Sequence, residues 1–458
     1  MMAALVASAS VVLSLNSCGS SHLSGPSAKH IQHVVLIVQE NRTPDNLFQD
    51  PVLINQRHAD IAQTGLNSQG QTIPLTQTDL TTTYDLSHQH AAFVGMYDGG
   101  KMDGADLTPV VCPISGQTNC APPNPQFMYV NPAEVQPYFQ MAERYTFGDR
   151  MFQTNQGPSF PAHQFLISGT SAPTATSPLF AAENVHGNGS AGCIALSTSF
   201  VKLVDPSGNE SQTQYPCFEH PTLTDLLDAQ GISWRYYAPT AGSIWTGPDA
   251  IQHICQPASQ NGQLACTGSA WKNVIIPGGK AFLSDVANGQ LPQVSWVIPN
   301  APESDHPSLN DGSGPSWVAS IVNAIGNSSY WGDTAIFVLW DDWGGWYDHV
   351  PPPKVLVNCD QWGCGYVYGF RVPLIVISPY AKAQYLSHVN HDFGSILKFV
   401  EETYRLPSLG YADSSALDDM ADCFDFGQSP LVFTSIPAPL TAEHFLNDTR
   451  PPMDPDDD

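Results

Sequence analysis

"HVVLIVQENRTPDNLF" spans His33 to Phe48, and its first half decides the class of fold. Val34 to Val38 form an unbroken apolar run, rich in β-branched residues, with no polar alternation. Such a run predicts a strand buried on both faces, as in a parallel sheet. Glu40, Asn41 and Arg42 follow within one residue of the strand's predicted end. In open α/β sheets ligands bind in the crevice outside the carboxyl ends of the strands. A carboxylate and an amide at that place are therefore candidate ligands, although this stretch alone also reads as the start of a polar loop.

"TAIFVLWDDWGGWYDHVPPP", from Thr334, repeats the pattern more sharply. A second buried strand ends in Asp341 and Asp342, and Gly344-Gly345 permits a tight turn close to whatever they hold. Adjacent carboxylates at a strand end repel each other and lose hydration, so a bound cation is the simplest compensation. Together with Glu40 and Asn41 they predict a divalent metal site. Oxygen-rich ligands of this kind suit Mg, Mn, Ca or Zn.

The third element is "QTNQGPSFPAHQFLISGTS". Gly157-Pro158 bends the chain, and Pro161 suits the first turn of a helix predicted to run to about Ser168. Ser159 thus sits at a helix N-terminus, where backbone N–H groups and the macrodipole favour an anion. Its hydroxyl is either an N-cap or, beside a metal, an activated nucleophile.

Elsewhere strand-like runs, Ile232 to Ala238, Gln293 to Ile298 and Val372 to Ser378, alternate with helical patterns such as "TLTDLLDAQG", "SWVASIVNAIG" and "DFGSILKFVEETYRL". This alternation predicts an α/β fold with a mostly parallel central sheet and helices on both faces. Prolines and glycines concentrate at 104–137 and 239–280, read as surface insertions on one domain covering 30–447, and 448–458 reads as a disordered acidic tail.

The 458 residues carry 16 Lys plus Arg against 42 Asp plus Glu, a formal charge of -26, which disfavours nucleic acid as a partner. The first 17 residues are apolar or small and uncharged, and predict an export signal. "LNSC" resembles a lipoprotein cleavage box with Cys18 as the lipidated residue, so a periplasmic, cell-surface or secreted location is expected. Ten cysteines suit an oxidising compartment. The economical pairing joins near neighbours, 112 with 120, 193 with 217, 255 with 266 and 359 with 364, leaving Cys423 free.

These residues also carry a family resemblance. "QENRTPDNLF" is similar to the E-N-R-[ST]-F-D-x-x-[FY] signature of bacterial phosphoesterases that include phospholipases C and acid phosphatases, within the alkaline phosphatase-like superfamily. Further blocks follow in order, among them "DLSHQHAAFVGMYDGGKMDGA", "GPSFPAHQFLISGTS", "ESDHPS", "GFRVPLIVISPYA" and "LDDMADCFDFG", so that the likeness spans about 30–430. The resemblance implies that Glu40, Asn41, Asp341 and Asp342 bind metal, that Ser159 is the nucleophile, and that His88 and His306 are active-site histidines. His163, Asp305, His349 and His391 fall in matching blocks and are candidates to line the site, His349 and His391 reading equally as structural hydrogen-bond donors at a loop and a helix start. Two departures stand out. Pro161 is followed by Ala162-His163 where phospholipases C usually have P-N-R, and the chain ends without the C-terminal β-rich domains that many of them carry. The expected function is therefore an exported, metal-dependent, acid phosphatase-like phosphoric ester hydrolase working through a phosphoseryl intermediate. The alternatives are a phospholipase C acting on phospholipid head groups and a non-catalytic surface binding protein.

Overall fold

A computed structural model describes residues 29–114, 116–187, 189–356 and 365–453. The proposed export signal and Cys18 lie outside these residues. Nine strands build the main sheet: β1 (His33–Gln39), β2 (Thr146–Phe152), β3 (Trp234–Tyr237), β4 (Val274–Ile275), β5 (Val294–Val297), β6 (Thr334–Trp340), β7 (Arg371–Ile377), β8 (Tyr385–Ser387) and β9 (His391–Asp392). Their order is β4-β3-β5-β1-β6-β7-β2-β8, with β9 pairing with β2 as well. β1 is hydrogen-bonded in parallel to β5 and β6. β7 is antiparallel to both β6 and β2, which makes β2 parallel to β6 and opens its carboxyl end on the same edge as those of β1 and β6.

Val34 to Val38 and all seven residues of β6 are buried, as their unbroken apolar runs predict. Removing each such side chain from water is worth about 1.5–3 kcal/mol. The flanking helices are α1 (Gln136–Arg144), α2 (Ser159–Ser168), α3 (Leu223–Ala229), α4 (Gly278–Ala287), α5 (Gly314–Gly326) and α6 (Phe393–Tyr404). α1, α4 and α5 pack as one layer, and α2, α3 and α6 as another. α3 begins in a capping box in which Thr222 and Asp225 bond reciprocally, and Gly231 follows its end at φ 68°. α5 runs through Gly326 and is capped by Asn327, one residue beyond the predicted stop.

Three expectations about connections are corrected. Segment 239–280 is not merely superficial: Ile244, Trp245, Asp249 and Ile251 are buried, and the segment supplies edge strand β4. Within 104–137, Phe127 is buried and Met128–Val130 pairs with Thr76–Thr78. The start of the acidic tail is held in place. Arg450 forms ion pairs with Asp448, Asp311 and Glu303, and the Met453 amide donates to Asn300 Oδ1 at 2.8 Å.

Disulfides join Cys112 to Cys120, Cys193 to Cys217 and Cys255 to Cys266, while Cys423 is free and buried. Cys359 and Cys364 lie outside the described residues. Non-reducing peptide mapping is expected to recover these three local links, with Cys423 alkylated only after unfolding; any peptide joining Cys423 to another cysteine would overturn the assignment. Reducing the Cys193–Cys217 link, a separation of 24 residues, should lower stability by roughly 3 kcal/mol in the loop-entropy account.

Candidate active site

Register brings the carboxylates together. β1 and β6 pair in parallel from His33↔Thr334 to Gln39↔Trp340, so the next residues, Glu40 and Asp341, emerge side by side. The ladder continues past the strand ends, with the Asp341 amide donating to Gln39 O at 2.9 Å and the Arg42 amide to Asp342 O at 3.0 Å. Asn41 turns at φ 62°, and its amide donates to Asp341 Oδ1 at 3.1 Å. Gly344 and Gly345 also have positive φ. A Cβ on Gly344 would lie 2.4 Å from Asn41 O, and one on Gly345 would lie 2.5 Å from Leu86 Cβ. The turn predicted from this Gly pair is thus the joint between the two acidic loops and the loop that carries His88.

β2 delivers the hydroxyl. Its chain continues through Gln153 to Pro158 into α2, whose N-cap is Pro158. Ser159 is the first helical residue and makes no cap. Its Oγ donates to Glu40 Oε2 and to Asp342 Oδ2, each at 3.3 Å. The N-cap reading is thereby replaced by one in which the hydroxyl faces the carboxylates. The helix start is poorer in free donors than expected, because the Phe160 amide is taken by Asn184 Oδ1 at 2.9 Å and Pro161 has no N–H.

Histidines complete the cluster. His88 Nε2 lies 3.3 Å from Asn41 Nδ2 and 4.0 Å from Asp342 Oδ2, while its Nδ1 is 3.0 Å from Leu86 O. The His306 ring is 6.0 Å from that of His88, and its Nδ1 is 3.8 Å from Asp85 Oδ2. Both histidines are buried and not on the surface. His163, one turn along α2 from Ser159, points Nε2 to Glu40 Oε1 at 3.3 Å and Asp341 Oδ2 at 3.9 Å.

Glu40, Asp341 and Asp342 are completely buried. Burial, reinforced by Asp341 and Asp342, pushes the Glu40 carboxyl well above the usual range, and burial with Asp341 does the same to Asp342. Burial also holds the His163 imidazole neutral, down to about 4. Among the described residues no Lys or Arg pairs with the three carboxylates, and Asp341 Oδ2 and Asn41 Oδ1 have no hydrogen-bond partner. Buried acids are normally paired or coordinate a metal, so the donor set fits a divalent ion. Ligand atoms of Glu40, His163 and Asp341 lie within 4.8 Å of one another.

Three expected lining residues lie elsewhere. Asp305 faces the packing under the site, where Oδ2 accepts from Tyr138 Oη at 2.8 Å and Trp340 Nε1 at 3.0 Å. His349 bridges Asp45 at 2.7 Å and Asp60 at 2.9 Å beside buried Arg371; the bond and charge of Asp45 outweigh burial and raise it to about 9. That acidic group with His349 is filled by an arginine rather than by a metal, since Arg371 pairs with both Asp45 and Asp348. His391 binds Ser387 Oγ at 3.1 Å and approaches Cys423 Sγ at 3.8 Å, at the far side of β2. Tyr236, which holds His163, was not singled out from sequence; within the strand run 232–238 it reads only as another core aromatic.

Convergent buried acids, histidines and a helix-borne hydroxyl at the carboxyl edge of an α/β sheet belong to an enzyme that hydrolyses phosphoric esters. The model of the Phosphoesterase family matches residues 31–407, and the chain is a member of that family. It is similar to phospholipase C A of Mycobacterium tuberculosis, at 26% identity over 89% of this chain and 80% of that protein. The non-hemolytic phospholipase C of Pseudomonas aeruginosa is 24% identical over 89% of this chain and 59% of its own. Among solved structures, a protein in the alkaline phosphatase superfamily from Vibrio parahaemolyticus aligns over 82% of this chain and 66% of its own, at 11% identity and a TM-score of 0.34, too distant to add to the argument.

Proposed function

We propose that the chain is a metal-dependent phosphoric diester hydrolase of the phospholipase C kind. The observation that carries the chemistry is the placement of Ser159 Oγ, 3.3 Å from both Glu40 and Asp342. The substrate class rests on the relatives, which are named phospholipases C and match over 89% of this chain. They favour this reading over the acid phosphatase expected from sequence.

A divalent ion held by Glu40, Asn41, Asp341 and Asp342 would lower the proton affinity of the hydroxyl and offset phosphate charge. Ser159 Oγ then forms a bond to phosphorus as its proton passes to one of the two carboxylate oxygens it already faces. The alcohol leaves from the opposite side, taking a proton from His88 or His306. Water attacks the phosphoseryl ester and frees Ser159. Asn41 and the two histidines orient the phosphoryl oxygens, a task to which α2 contributes few amides.

Purified protein assayed on p-nitrophenylphosphorylcholine, p-nitrophenyl phosphate and phosphatidylcholine vesicles is expected to prefer the diesters and to lose turnover with chelator. Turnover of the monoester alone would return the assignment to an acid phosphatase. Chelator-insensitive turnover would remove the metal.

A further inference from the structure

The position that resembles the arginine of a P-N-R block is a histidine here, and its surroundings fix the direction of its lone pair. The Tyr236 hydroxyl lies 2.9 Å from Trp245 O, 3.0 Å from His163 Nδ1 and 3.4 Å from the Gly247 amide. A hydroxyl has one proton to give and two lone pairs to fill. All four groups are satisfied at once only if Tyr236 donates to the Trp245 carbonyl and accepts from both Gly247 N–H and His163 Nδ1–H. The imidazole proton is then on Nδ1. Nε2 presents a bare lone pair to Glu40 Oε1 and to Asp341 Oδ2, an oxygen with no hydrogen-bond partner. A lone pair aimed at buried carboxyl oxygens calls for a proton or a metal ion between them, and the convergence of Glu40, His163 and Asp341 ligand atoms within 4.8 Å of one another suits a shared metal ion. A ring N–H donated to a polar partner is also how metal-binding histidines are oriented.

We infer that His163 Nε2 is a metal ligand of this centre, oriented by Tyr236, and that it biases the site toward imidazole-accepting ions such as Zn²⁺ over Mg²⁺ or Ca²⁺. Oxygen-only ligand sets suit the hard ions, whereas imidazole suits Zn, Fe and Ni. The inference rests on the metal-dependent reading above and adds to it the choice of ion. Tyr236 is a positioning residue, since it acts only through the ring it holds.

The test uses chelator-treated full-length protein, titrated calorimetrically with Zn²⁺ and separately with Mg²⁺, and with Co²⁺ followed by visible absorption. His163→Gln exchanges the imidazole nitrogen for an amide. It should weaken Zn²⁺ binding by at least the roughly 10- to 100-fold typical of losing a ligand's orienting partner, leave Mg²⁺ binding nearly unchanged, and alter the Co²⁺ spectrum. Tyr236→Phe should weaken Zn²⁺ binding in the same direction, and it carries the test if the buried His163 variant fails to fold. Equal Zn²⁺ affinity in the wild type and both variants would overturn the role of His163 while leaving the metal-dependent reading intact. A wild-type protein that binds none of the three ions would overturn both.

Discussion

Ser159→Ala is expected to abolish nearly all turnover while leaving the melting temperature almost unchanged. Among the described residues, the Ser159 hydroxyl is the one that the geometry places against both Glu40 and Asp342. A loss of about 10³-fold or more, equivalent to roughly 4 kcal/mol of barrier, is the scale for a reaction deprived of its covalent step. Stability should hold because Ser159 caps nothing: Pro158 is the N-cap, and Asn184 secures the neighbouring amide. Were the hydroxyl a cap, the same change would cost about 1 kcal/mol and spare catalysis. Steady-state kinetics and melting on one preparation separate the cases. A variant that turns over near the wild-type rate and melts early would refute the mechanism without touching the fold. Ser159→Thr keeps a hydroxyl and should retain part of the activity.

Asp341→Asn should act in opposite directions on the metal-free and metal-loaded protein. Without metal, Asp341 is a fully buried acid that raises the proton affinity of Glu40 and Asp342, so replacing it relieves repulsion and the variant should melt higher than the wild type. With metal, the same change removes a ligand. Turnover should then fall by about 10²-fold or more at low metal concentration, beyond what outer partners alone account for, and recover partly with excess metal. Asp342→Asn should lose activity too, since its Oδ2 also accepts from Ser159. Metal content, melting and turnover measured together decide the matter. Full occupancy with normal turnover in both variants would sink the site.

How much of this was legible in the sequence depended on whether a signal was local. β1, β6 and β7 were readable because their apolar runs are unbroken, and α2 because glycine and two prolines bracket its start. β2 was not, although it delivers Ser159. Its run "TFGDRMF" is broken by Gly148, Asp149 and Arg150, which are tolerated only through distant partners: Asp149 accepts from the Asp60 amide and His388, and Arg150 pairs with Asp60. The convergence of the three carboxylates and the Asn41 amide was legible from strand-end position. The separation of His349 and His391 from them was not, because His349 serves an ion network with Asp45 and Asp60 from far earlier in the chain, and His391 is taken up by Ser387 and Cys423. Pro161 did announce that one helix amide was missing, while the loss of the Phe160 amide to Asn184 left no local trace.

The joint formed by Gly344 and Gly345 bears on how such an enzyme can be remodelled. Each glycine is pressed against a different loop of the candidate site, at 2.4 and 2.5 Å from where a side chain would begin. The Asn41 loop, the acidic loop and the His88 loop are therefore keyed like wards in a lock, and none can shift without displacing the others. Directed evolution toward new head groups should find its beneficial changes in the peripheral segments around this joint, with the doublet itself fixed as Gly-Gly across every surviving library.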